Sequence, residues 1–127
     1  MFRILILLCL ATPAMAQTPM TAAEFEAYVD GKTLSFGTAG EPYGMDWYRS
    51  NRRVTWAFTG EDCQDGFWYE EAGNICFEYG DGLAPQCWRF FDEPGGLRAE
   101  FMNEPGTTVL YEALDTEEQL ISPNMAS

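Results

Sequence analysis

Hydrophobic and polar residues alternate with a period of two along most of this chain, in short runs that recur about every 10 to 12 residues. Val54, Trp56 and Phe58 fall on one face of such a run, and Thr55 and Ala57 fall on the other. This alternation is typical of β-strands that turn one face to a core. The predicted strands cover residues 32–36, 43–48, 53–58, 66–70, 74–79, 87–91, 97–102 and 108–112.

The residues between the runs indicate tight turns. Gly, Pro, Asn and Asp are concentrated there, as in Ala72-Gly73-Asn74 and in residues 93–96. Gly and Asn tolerate the positive φ of two-residue hairpins, so consecutive strands should pair antiparallel. Closing such a sheet removes its exposed edges. The predicted fold class is therefore mainly β, an antiparallel up-and-down meander that forms a small barrel or a curved half-barrel.

One short helix is predicted before the first strand. Thr21-Ala22-Ala23-Glu24 has the form of a capping box, in which the first and fourth side chains satisfy each other's backbone donors. Phe25, Tyr28 and Val29 follow at helical spacing and form one apolar stripe, and Gly31 stands where a helix commonly ends. We expect this helix to pack on the β domain or to plug one end of it.

The N-terminal residues follow a different pattern, that of a secretory signal peptide. Arg3 precedes an apolar stretch at residues 4–10, and Ala14-Met15-Ala16 has the small side chains of a cleavage site. We expect residues 1–16 to be removed, residues 17–114 to form a single β domain, and residues 115–127 to be a polar, flexible tail. The predicted location is periplasmic or secreted. No later stretch is long and apolar enough to insert into a membrane.

The charge of the chain limits its partners. Twenty acidic residues against seven basic ones give a formal net charge of −13. Nucleic acids and anionic lipids require a basic surface, so neither is an expected partner. A basic protein or peptide is compatible with this charge, and the domain is expected to be a monomer.

Three cysteines, Cys63, Cys76 and Cys87, remain after removal of the signal peptide, so one disulfide and one free thiol are expected in an oxidising compartment. Three pairings are open. Successive turns of a meander alternate between its two ends, which places Cys63 and Cys87 at one end and Cys76 at the other. We therefore predict a Cys63–Cys87 disulfide and a free thiol at Cys76. With no histidine and no CxxC pair, the chain indicates neither a metal site nor a cofactor.

The ordered motifs W-x-F-x-G from Trp56, C-x-x-G-x-W from Cys63, I-C-F-x-Y from Ile75 and C-W at Cys87 resemble a known pattern. It is that of a family of small uncharacterised exported proteins of Rhodobacter-type alphaproteobacteria. The resemblance spans residues 20–111 and implies no activity. Such relatives carry a further cysteine before a proline, where this chain has Ser122-Pro123, which implies that Cys76 has lost a partner here.

Candidate chemistry is sparse. Without histidine, the commonest general base is missing, and we predict no catalytic residue. Aromatic residues make up 15% of the chain, and large aromatic side chains dominate both cores and recognition surfaces. The candidate binding aromatics are Trp47, Trp56, Trp68 and Trp88.

Two classes of function are compatible with these features. The first is an acidic binding or interaction module that engages a cationic protein or peptide through electrostatic steering. The alternative is a barrel that carries a small apolar ligand. A hydrolase is disfavoured.

Overall fold

The fold is described from a computed structural model, which describes residue 10, residues 17–80 and residues 82–114. The predicted signal peptide, apart from Leu10, and the predicted C-terminal tail lie outside the described residues, as does Ser122. Within the described residues, no helix has the length and apolar character that a bilayer crossing requires.

The described chain consists of one helix followed by eight strands. Their bounds are α1 Ala22–Val29, β1 Thr33–Gly37, β2 Pro42–Tyr48, β3 Arg53–Phe58, β4 Gln64–Glu71, β5 Asn74–Glu78, β6 Gln86–Glu93, β7 Gly96–Phe101 and β8 Val109–Ala113. Each strand pairs antiparallel with the next, and β1 pairs with β8 through Ser35–Ala113, Phe36–Glu112 and Gly37–Tyr111. The sheet is thus a closed up-and-down barrel, which confirms the predicted fold class in its closed form.

Two hairpins at one end of the barrel depend on left-handed backbone conformations. Asn51 and Arg52 have φ values of 59° and 58°, and Ala72 and Gly73 have φ values of 51° and 79°. Paired left-handed residues match the right-handed twist of the flanking strands. These two turns connect β2 to β3 and β4 to β5, at the end where α1 also lies.

Helix α1 plugs that end of the barrel. The predicted capping box is present, with Thr21 and Glu24 bonded reciprocally at 3.0 and 3.1 Å. Phe25 is fully buried, and its ring lies 5.0 Å from that of Trp68 and 4.4 Å from that of Phe90. Because β-strand side chains alone would leave the middle of this end unfilled, the helix supplies the missing apolar volume.

The disulfide differs from the prediction. Cys76 and Cys87 are bonded, so the predicted Cys63–Cys87 pairing is wrong and Cys76 is not a free thiol. The two are direct cross-strand partners on the outer face of β5 and β6, with Cα atoms 4.0 Å apart. The prediction failed because β5 has only five residues, so Cys76 at its centre lies directly opposite Cys87 near the start of β6, and register rather than barrel end decides proximity. A disulfide is consistent with an oxidising, extracytoplasmic compartment.

Candidate functional site

A cavity of about 30 Å³ lies inside the barrel, between the plug formed by α1 and the opposite end. Eight of its twelve described lining residues are aromatic. The lining residues are Phe36, Tyr43, Asp46, Trp56, Phe58, Phe77, Tyr79, Gln86, Trp88, Phe90, Ala99 and Leu110. We refer to this space as the barrel cavity.

The barrel cavity approaches solvent through a cluster of three rings at the end opposite α1. Tyr43, at the start of β2, lies 5.8 Å from Trp56 and 5.4 Å from Phe58, measured between ring centroids. Trp56 and Phe58 are 5.5 Å apart and nearly perpendicular, the edge-to-face arrangement that aromatic pairs prefer. Phe58 is 40% exposed, and Tyr43 and Trp56 are half-buried. These three residues form what we call the rim.

Two strand glycines make room for the aromatic walls. A Cβ atom on Gly44 would lie 2.5 Å from the indole of Trp56, and one on Gly66 would lie 2.7 Å from the ring of Tyr79. Real Cβ atoms do not approach other atoms so closely, so each ring packs against backbone at a position that only glycine leaves open. Glycine within a strand commonly marks such a close approach.

Asp46 is the one charged residue among the described residues that line the barrel cavity. It faces inward from β2, in register with Leu34 on β1 and Trp56 on β3, and is 6% exposed. The Tyr48 hydroxyl donates a hydrogen bond of 2.9 Å to Asp46 Oδ2. Asp46 Oδ1 is buried and accepts no hydrogen bond from any described residue. A buried polar atom without a partner is destabilising, so this oxygen calls for an explanation.

Burial controls the ionisation of this pair. Desolvation raises the pKa of Asp46 from 3.8 to about 7, although the hydrogen bond from Tyr48 acts in the opposite direction. Burial also raises the pKa of Tyr48 well above its usual value of 10.0, with the nearby Asp46 carboxylate adding to the effect. Near neutral pH, Asp46 is therefore divided between its neutral and charged forms, and Tyr48 remains a donor.

The four predicted binding tryptophans occupy three different environments. Trp56 and Trp88 line the barrel cavity. Trp68 is buried at the plugged end against Phe25, with the Arg52 guanidinium 4.6 Å from its ring centroid. Trp47 faces outward from β2 and is 36% exposed. The structure thus brings two of the four together.

Asp46 was missed by sequence reasoning because its strand has no clear hydrophobic alternation. The outward-facing Met45 and Trp47 look more apolar than the inward set of Gly44, Asp46 and Tyr48. Gly44 was the usable signal, because a glycine opposite an aromatic residue indicates a ring packed on backbone.

A second cluster of donor atoms lies on the outside of the barrel. Ligand-type atoms of Glu71, Cys76 and Cys87 lie within 4.8 Å of one another. The two sulfurs are bonded to each other, so they offer no thiolate to a metal ion.

No family model, curated protein or solved structure matches this chain. The resemblance to the exported alphaproteobacterial family therefore stays a prediction.

Proposed function

We propose that this protein is a small-ligand-binding barrel whose site is the barrel cavity and its rim. The observation that carries the proposal is an aromatic-lined space that lies between the plugged end of the barrel, where Phe25 packs on the lining ring of Phe90, and a rim of partly exposed rings. Concave apolar sites with a few polar groups are the usual form of ligand pockets, and small eight-stranded barrels either fill themselves or hold one small molecule.

The size of the barrel cavity limits what can enter. At about 30 Å³ it accommodates one small group rather than a whole lipid or a large apolar molecule. The rest of a ligand would lie against Tyr43, Trp56 and Phe58 at the rim. This narrows the carrier hypothesis from any apolar ligand to a molecule with one compact end.

The hypothesis of a cationic protein or peptide partner rests on charge alone at this point. A net charge of −13 attracts any cation and selects no particular surface of the domain. If a cationic ligand enters the barrel cavity, this attraction acts at one defined site, for a free small molecule and for a side chain of a basic protein alike.

A fragment titration followed by NMR tests the proposed function. The indole N–H signals of Trp56 and Trp88 should move when amines, alcohols or carboxylic acids of butane size are added. The outward-facing Trp47 supplies an internal control, because its indole signal should stay in place. Shifts confined to Trp47, or no shifts at all, would overturn the proposal.

A pair of substitutions identifies the cavity as the place of binding. Ala99 lines the barrel cavity, whereas Ala113 on β8 is exposed. Ala99→Leu should fill the space and abolish the shifts, and Ala113→Leu should leave them unchanged. The fold of both variants is checked by circular dichroism, since overpacking a core typically costs about 1 to 3 kcal/mol.

A further inference from the structure

The described residues that line the barrel cavity offer negative charge but no positive charge. Among the described residues, its lining includes a single charged side chain, that of Asp46, and no lysine or arginine. Asp46 Oδ2 already has a partner in the Tyr48 hydroxyl, and Oδ1 has none among the described residues. An ionised carboxylate only accepts hydrogen bonds, so the partner that would satisfy Oδ1 must be a donor.

The aromatic residues of the cavity favour a donor that carries a positive charge. The face of an aromatic ring carries negative electrostatic potential and attracts ammonium groups, most strongly when water is excluded. Trp56 lies next to Asp46 across the β2–β3 pair, and Trp88 and Tyr79 line the same space. A neutral donor would gain the hydrogen bond alone, whereas a cationic donor also gains the attraction of the rings and of the carboxylate.

We propose that the barrel cavity binds an alkylammonium group, with the Asp46 carboxylate as its counter-ion and the surrounding rings as its cage. This inference rests on the proposed function, because it names the chemical class of ligand that the same site takes. The ammonium group would donate to Asp46 Oδ1, and its alkyl chain would leave between the rings of the rim. The small volume of the cavity favours a compact ammonium over the wider, planar guanidinium.

The test compares two probes of the same shape. n-Butylammonium and n-butanol are titrated into the wild-type protein and into Asp46→Asn, with the indole signals of Trp56 and Trp88 as readout. Wild type should bind the ammonium at least about tenfold more tightly than the alcohol, and Asp46→Asn should lose that preference. Asparagine keeps the shape of the side chain and an acceptor oxygen, so a general loss of fold is not expected.

The outcomes separate the two proposals. If both probes bind in the cavity with equal affinity, and Asp46→Asn binds them equally as well, the proposed function stands and the ammonium proposal is overturned. If neither probe moves the Trp56 or Trp88 signal, both proposals fail. A water molecule on Oδ1 as the only occupant would produce this second result.

The pH dependence supplies a readout that a purely structural carboxylate would not give. Binding of n-butylammonium should strengthen by about tenfold per pH unit up to pH 7 and then level off, because Asp46 must lose its proton. Leu34 and Trp56, which flank Asp46 on β1 and β3, do not titrate. Tyr48 faces it from β2, and Tyr79 and Glu112 act on Tyr48 electrostatically. A pH-independent affinity would contradict the proposal.

Two peptides distinguish a free amine from a lysine side chain as the source of the ammonium. Gly-Lys-Gly and its Nε-acetylated form differ in charge at the same position of the chain. Cavity binding of Gly-Lys-Gly that is lost on acetylation would assign a lysine-bearing partner and support the cationic-peptide hypothesis. Binding of n-butylammonium without binding of Gly-Lys-Gly would assign a free amine.

Discussion

Replacing Asp46 with asparagine should make the protein more stable at neutral and alkaline pH. In the unfolded chain this carboxyl ionises near 3.8, and in the folded barrel its pKa is about 7. Between these values only the folded state keeps the proton, so the folded state loses stability as pH rises towards 7. A pKa difference of this size corresponds to about 4 kcal/mol once pH exceeds 7.

Urea unfolding measures the effect directly. The difference in unfolding free energy between Asp46→Asn and wild type should grow in favour of the variant by about 3 kcal/mol from about pH 4.5 to about pH 8. Asp62→Asn is the matched control, because it removes one negative charge from an exposed position. The change with pH in Asp46→Asn is measured relative to this control, which separates the burial of Asp46 from the loss of one unit of charge. A difference between Asp46→Asn and wild type that stays constant with pH would refute the reasoning, since it would mean that Asp46 is ionised as easily in the barrel as in water.

Three further predictions concern the scaffold. Gly66→Ala should destabilise the protein by about 2 to 4 kcal/mol in urea unfolding, because the new Cβ would lie 2.2 Å from a backbone carbonyl oxygen of the next strand. Gly95→Ala is the control, since a Cβ there meets open space and should change the stability little. Phe25→Ala should lower the free energy of unfolding by about 3 to 5 kcal/mol in the same assay, because the fully buried ring fills the plugged end of the barrel. A decrease below about 1 kcal/mol would show that α1 is not a plug. Digestion after glutamate under non-reducing conditions should yield peptides 72–78 and 79–100 joined by a Cys76–Cys87 bond. Peptide 79–100 joined instead to peptide 62–70 would contradict the observed pairing.

The elements of the barrel could be predicted from the sequence because the patterns that specify each strand and turn lie within a few neighbouring residues. The period-two runs and turn residues predicted all eight strands to within two residues, and the capping box of Thr21 and Glu24 predicted the start of α1. The sequence did not distinguish a closed barrel from a curved half-barrel. That choice depends on three β1–β8 residue pairs about 75 positions apart, and no local pattern reports them.

The disulfide and the site depend on register, which the sequence did not reveal. Cys76 and Cys87 meet because they are directly opposed, and a shift of one residue would turn them to different faces of the barrel. Asp46 faces the interior for the same reason, although its neighbours Met45 and Trp47 are the more apolar set. Sequence patterning therefore predicted the strands correctly but did not indicate which face of β2 lines the cavity.

Intermolecular nuclear Overhauser effects give the most direct test of an alkylammonium site inside the barrel. With n-butylammonium as ligand, we expect contacts from its methylene protons to the rings of Trp56 and Trp88 in the wild-type protein, and no such contacts in Asp46→Asn. Contacts confined to the outward-facing rings of Trp47 or Phe67, or contacts that persist unchanged without the Asp46 carboxylate, would contradict the account.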